Sequence, residues 1–166
     1  MHFRTSNALA WPEPGYESAA AQRHWPQLVF AREESAGSDQ RIEPSARILV
    51  VEDDFLVAAE IEIALSDAGF DVAGVAASAE EAVELAQSQR PALVVMDVRL
   101  AGERDGVQAA VEIFRKLGIR CIFATAHCDR DVLERAQPAM PLGWLQKPYS
   151  MVSLVNAVRR ALSAAP

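Results

Sequence analysis

Four apolar residues in a row, Ile48-Leu49-Val50-Val51, open the regular part of this chain. An unbroken apolar run of that length suits a strand buried on both faces, whereas a half-buried strand alternates. Val57, Ile61 and Leu65 then fall four apart on one helical face, and Gly69 ends that helix. Residues 70 to 75 read as a short second strand. Ser78-Ala79-Glu80-Glu81 has the spacing of a capping box and starts a helix that runs to about Gln89, where Pro91 stops it. Leu93-Val94-Val95-Met96 is a third strand, again wholly apolar. Asp105 caps a helix that carries Val107, Ala110, Val111 and Phe114 to Gly118. Residues 119 to 124 give a fourth strand. Residues 129 to 137 give a short helix closed by Pro138, and residues 142 to 146 a fifth strand. The last helix is expected to turn Val152, Val155, Val158 and Leu162 inward.

Strands and helices alternate strictly through five units. That order, with continuous apolar strands, predicts an α/β fold: a parallel sheet covered by helices on both faces. Ligands in such folds sit beyond the carboxyl ends of the strands. The residues at those ends are Glu52, Asp53 and Asp54 after the first strand and Asp97 after the third. Thr125 follows the fourth, and Lys147 with Pro148 the fifth. Asp54 is expected to cap the first helix. Glu52, Asp53 and Asp97 together would repel and raise one another's pKa unless a cation joined them. An all-oxygen set of this kind suits Mg²⁺. A cation site, an ammonium, a hydroxyl and a nucleophilic carboxylate are the parts phosphoryl transfer needs.

The first 46 residues differ in kind. They hold four of the nine prolines, four Arg and six acids, and no sustained period. They are expected to be an extension, largely disordered, ahead of one folded domain at 47–166. The island His24-Trp25-Pro26-Gln27-Leu28-Val29-Phe30 leaves a second reading open, a docking segment. The formal charge of −7 and pI of about 5.0 disfavour direct DNA binding. No apolar run reaches membrane-span length, and the N-terminus lacks the pattern of a secretory signal. Cys121 and Cys128 stand too close together to staple a fold, so free thiols and a cytoplasmic location are expected.

The segments Ile48-Leu49-Val50-Val51-Glu52-Asp53-Asp54, Val94-Val95-Met96-Asp97, Asp105-Gly106, Ala124-Thr125-Ala126 and Lys147-Pro148 resemble the receiver domain of two-component response regulators. The resemblance covers residues 47–164 and is similar to the subgroup with Phe-Ala-Thr on the fourth strand. It implies a five-stranded sheet in the order 2-1-3-4-5. It implies that Asp97 accepts a phosphoryl group from a sensor histidine kinase or a histidine phosphotransfer protein. Mg²⁺ would be held by the side chains of Asp53 and Asp97 and the carbonyl of Arg99, with Glu52 acting through water. Thr125 and Lys147 would bind phosphoryl oxygens, and the Lys147–Pro148 bond would be cis. Trp144 occupies the place of a switching aromatic, where Tyr or Phe is more usual, and a static core role stands beside that reading. Arg99 and His127, each two residues beyond a site residue, are candidates for tuning phosphoryl lifetime.

Asp97 and Gly106 lie nine positions apart, one more than the family's usual loop, and Ala126 stands where the Phe-Ala-Thr subgroup has Gly. Only 19 residues follow Lys147. A stand-alone receiver is therefore expected, acting by protein contact or as a phosphate sink. The resemblance places its target or homodimer surface on the fourth helix, fifth strand and fifth helix. A Mg²⁺-dependent phosphatase or phosphotransferase is the enzymatic alternative. It usually carries a second Asp where Arg99 stands. A pseudo-receiver that binds partners without phosphorylation is the other alternative.

Overall fold

The computed structural model describes residues 46–126 and 129–164. The aromatic island near the N-terminus, His127 and Cys128 therefore lie outside the described residues. Five parallel strands form one sheet: β1 Arg47–Val51, β2 Asp71–Ala76, β3 Leu93–Asp97, β4 Cys121–Thr125 and β5 Gly143–Gln146, in the order β2-β1-β3-β4-β5. The helices are α1 Phe55–Asp67, α2 Ala79–Gln89, α3 Gly106–Leu117, α4 Arg130–Ala136 and α5 Met151–Ser163.

Successive side chains of a strand point to opposite faces, so an unbroken apolar run feeds two cores. Leu49 and Val51 of β1, Val94 and Met96 of β3 and Phe123 of β4 pack beneath α2 and α3, with Val83, Val107 and Ile113. Ile48 and Val50, Val95, Ile122 and Leu145 face the other way, toward Ile61 and Leu65 of α1 and Leu154 and Val158 of α5. The three inner strands are buried almost throughout, while the edge strands β2 and β5 are partly exposed.

Side chains at the helix starts fix where each helix leaves the sheet. Asp54 accepts from the Leu56 and Val57 N–H groups at 2.9 and 3.3 Å. Asp105 and Gln108 form a full reciprocal capping box at the start of α3. At α2, Ser78 accepts from the Glu81 N–H, but Glu81 accepts in return from Ala77, one residue ahead of the cap. Each such cap stabilises its helix by about 1 kcal/mol.

Two expectations are corrected. Val152 is 70% exposed, and the buried stripe of α5 is Leu154, Val158 and Ala161. A repeated spacing of three slips behind the helical turn, which leaves Val152 about 120° away from Val158. Pro138 does not end the helical path. It lies in a 3-10 turn, Gln137–Ala139, where a missing N–H is tolerated, and the chain leaves this turn at Met140 with φ 47°.

Phe123 and Phe55 give a matched test, since one is fully buried and the other 76% exposed. Phe123→Ala should lower stability by roughly 3–5 kcal/mol. Phe55→Ala should stay within about 0.5 kcal/mol. Urea unfolding midpoints compare the two, and equal losses would contradict the packing described.

Candidate functional site

The strand ends converge at one edge of the sheet. The Glu52 N–H donates to the Ala76 carbonyl at 3.0 Å, which extends the pairing of β1 with β2 by one residue. That pairing turns the Glu52 side chain inward, where it is 4% exposed, while Asp53 faces solvent. Asp54 turns away to cap α1. The three consecutive acids thus have three different environments. Asp97 closes β3, beside Ala124 of β4, and is 7% exposed. Thr125 closes β4 and is buried. Its carbonyl accepts the Lys147 N–H at 2.8 Å, which carries the β4–β5 pairing as far as the lysine. The Lys147–Pro148 bond is cis.

Lys147 Nζ donates to Asp97 Oδ2 at 2.6 Å and to Glu52 Oε2 at 2.7 Å. Asp97 Oδ1 accepts the Arg99 N–H at 3.1 Å. Glu52, Asp53 and Asp97 each offer a carboxylate oxygen within 4.8 Å of the others. A set of hard oxygen donors with one member open to solvent fits Mg²⁺, which prefers oxygen ligands and keeps part of its water shell. Burial raises the Glu52 pKa; the hydrogen bond from Lys147 opposes this and the Asp97 charge adds to it. Burial opposes the charge on Lys147, but its bonds to Asp97 and Glu52 together outweigh burial and hold its pKa above the usual lysine range.

Trp144 lies back from this edge. It is buried and stacks on Phe123, with ring centroids 4.7 Å apart and planes 26° from parallel. The Arg99 side chain is exposed, and the residue meets Asp97 through its backbone N–H. His127 lies outside the described residues. Cys121 is a buried free thiol, and burial pushes its pKa up.

Two contributors escaped the sequence reading. At Gly106 a Cβ would stand 1.8 Å from the Asp97 carbonyl oxygen, and the Gly106 N–H donates to Val98 at 3.0 Å. The first turn of α3 therefore rests directly on the Asp97 main chain. The signal was in the sequence as Asp105-Gly106, but spacing alone does not reveal a close approach. Tyr149, two residues past Lys147, has a buried hydroxyl without a hydrogen-bond partner among the described residues. Burial pushes its pKa up to about 12.

The sequence pattern of the response regulator receiver domain matches residues 48–159. The chain belongs to the response regulator receiver family. Its relatives include the transcriptional regulatory protein PdtaR of Mycobacterium tuberculosis, 38% identical over 117 residues, covering 70% of this chain and 57% of PdtaR. The phyllosphere-induced regulator PhyR of Methylorubrum extorquens is 30% identical over 131 residues, covering 78% of this chain and 48% of PhyR. The receiver thus spans about half the length of these relatives. Among solved structures, the receiver domain of a modulated diguanylate cyclase from Desulfovibrio desulfuricans G20 has a TM-score of 0.65 at 35% identity. That match covers 70% of this chain and 93% of the other. Among the described residues of the receiver, no helix is long and apolar enough to cross a membrane.

Two substitutions probe the receiver's site. Gly106→Ala should destabilise by about 1–3 kcal/mol, because the added methyl must displace backbone rather than a flexible side chain. Lys147→Met leaves Glu52 and Asp97 facing each other unpaired and should cost roughly 3–5 kcal/mol at neutral pH. Without the ammonium, nothing offsets the burial and the Asp97 charge that already raise the Glu52 pKa, so its folded-state value lies further above the unfolded one. The fold then favours protonated Glu52, so the lost stability should return as pH falls toward the carboxylate range. Urea titrations of wild type and variant between pH 4 and 8 check this; a loss that does not shrink in acid would contradict it.

Proposed function

We propose that this receiver accepts a phosphoryl group on Asp97 from the phosphohistidine of a sensor histidine kinase or histidine phosphotransfer protein. The observation that carries the reading is Lys147 Nζ bridging Asp97 and Glu52 beside a third carboxylate, Asp53, that faces solvent. In the transfer, an Asp97 carboxylate oxygen forms the new P–O bond as the P–N bond to the donor imidazole breaks. The imidazole leaves with the electron pair and is then protonated. When bound, Mg²⁺ would neutralise charge on the transferred oxygens. Glu52, Asp53 and Asp97 would hold it, together with the Arg99 carbonyl.

Lys147 is already placed to follow its Asp97 contact onto a phosphoryl oxygen, which prepositions a cation for the developing charge. Thr125 is proposed to bind a second oxygen. It ends β4, the strand that also carries Phe123 of the Phe123–Trp144 stack. A protein donor is supported by Phe55 and Leu56, 76% and 62% exposed in the first turn of α1 directly after the acidic run. Large exposed apolar groups around a reactive edge suit a macromolecular partner. We place output on protein contact through α4, β5 and α5, or on simple phosphate storage, in the cytoplasm. Residues 1–46 are taken as an extension to the receiver module.

The test is incubation with Mg²⁺ and acetyl phosphate followed by intact mass measurement. Wild type should gain one phosphoryl group and Asp97→Asn none. Omission of Mg²⁺ should abolish the gain. No gain on wild type under any Mg²⁺ condition would favour a partner-binding receiver that is not phosphorylated. Steady turnover of small phosphate esters would favour the enzymatic alternative.

A further inference from the structure

Helix α4 is short and thinly anchored: of its residues only Ala136 is buried, and Val132 and Leu133 pack partly against the core. A charged side chain ties it to another element. The Arg135 guanidinium donates to Asp105 Oδ2, with Asp131 of α4 as a second partner at 3.7 Å. The other oxygen of Asp105 is committed to the α3 cap, where Oδ1 accepts the Gln108 N–H at 2.9 Å. One carboxylate thus serves both the cap and Arg135.

The next residue fixes this corner to the site. Gly106 donates its N–H to the Val98 carbonyl, and its Cα faces the Asp97 carbonyl so closely that no Cβ fits. The Val98 N–H in turn donates to Ala124 of β4 at 3.1 Å. Asp105-Gly106 is therefore a stiff corner, with α4 held on one side and the Asp97 main chain on the other.

We propose that Arg135 is a positioning residue: through its pair with Asp105 it couples the placement of α4 to that of the Asp97 loop. Its role in signalling rests on the proposed phosphorylation of Asp97, but the mechanical link exists without it. Coupling of this kind is reciprocal, so a change at either end is felt at the other. The pair is partly exposed, with side chains 41% and 29% accessible. The effect should therefore be modest, like that of other partly exposed ion pairs.

Amide hydrogen exchange on the full chain tests the link. Asp105→Asn keeps the cap, since Asn caps as well as Asp, and removes only the charge. Arg135→Gln removes the other charge and keeps most of the side-chain stem. Arg135→Gln should speed exchange of the Val98 and Gly106 amides, and Asp105→Asn that of the last α4 amides, each by roughly two- to fivefold. The double variant should show no more than the larger single effect. Global unfolding midpoints should barely move. If each variant loosens only its own element, or if the double variant shows the product of the two single effects, the link is refuted. Phosphate uptake from acetyl phosphate is measured on the same samples. Failure of wild type to take up phosphate would overturn the phosphoacceptor reading, while the exchange data still decide the link.

Discussion

The contact of Lys147 with Asp97 and Glu52 is the constraint on which the rest of the site depends. Two buried carboxylates cannot share one strand edge as anions without a cation, because burial and mutual repulsion both disfavour their charged forms. The lysine satisfies both through bonds of 2.6 and 2.7 Å. Its placement comes from the sheet: β5 pairs with β4 up to the Lys147 N–H, so the ammonium arrives at the height where β1 and β3 end. One ionic contact thus joins the ends of three strands. The open member of the acidic set, Asp53, brings a solvent-facing carboxylate oxygen to within 4.8 Å of those of the two buried acids.

The same edge is stiffened from below. Gly106 seats α3 on the Asp97 carbonyl, and Asp105 caps that helix and holds Arg135. Nearby, Arg104 reaches both Glu80 of α2 and Glu112 of α3, and Lys116 also bonds Glu112 at 2.6 Å. The bonds from Lys116 and Arg104 hold the Glu112 carboxyl below its usual pKa range. The loop after Asp97 is therefore fastened to α2, α3 and α4 by its last two residues. Separate exposed pairs of this kind stabilise little, so their interest lies in where they hold the chain.

Much of this was legible in the sequence because burial on two faces leaves an unmistakable mark. Runs such as Leu93-Val94-Val95-Met96, short and set between helical patterns, suit an inner strand, and the polar residue that ends this run is the residue at the sheet edge. The Asp54 and Asp105 caps were readable from local pattern, whereas Asp129, read as the first residue of its helix, is its cap. What the sequence did not show is contact at a distance. Nothing in a linear pattern reveals that Gly106 touches the Asp97 carbonyl, that Tyr149 has a buried hydroxyl, or that Arg135 reaches Asp105. The misplacement of Val152 has a simpler origin, since valines spaced by three look periodic while drifting around the helix. Trp144 was readable as an aromatic on the last strand, but its partner Phe123 is a neighbour only through the β4–β5 register.

The central claim is that Asp97, held between Lys147 and the Arg99 N–H, is the group that carries phosphate. An acyl phosphate is cleaved by hydroxylamine, which leaves a hydroxamate on the carboxyl that held the phosphoryl group. Treating the phosphate-loaded protein with hydroxylamine and mapping its peptides by mass locates that carboxyl. The account predicts the hydroxamate on Asp97 and on neither Glu52 nor Asp53. A hydroxamate on either of those residues, or on none, would contradict it.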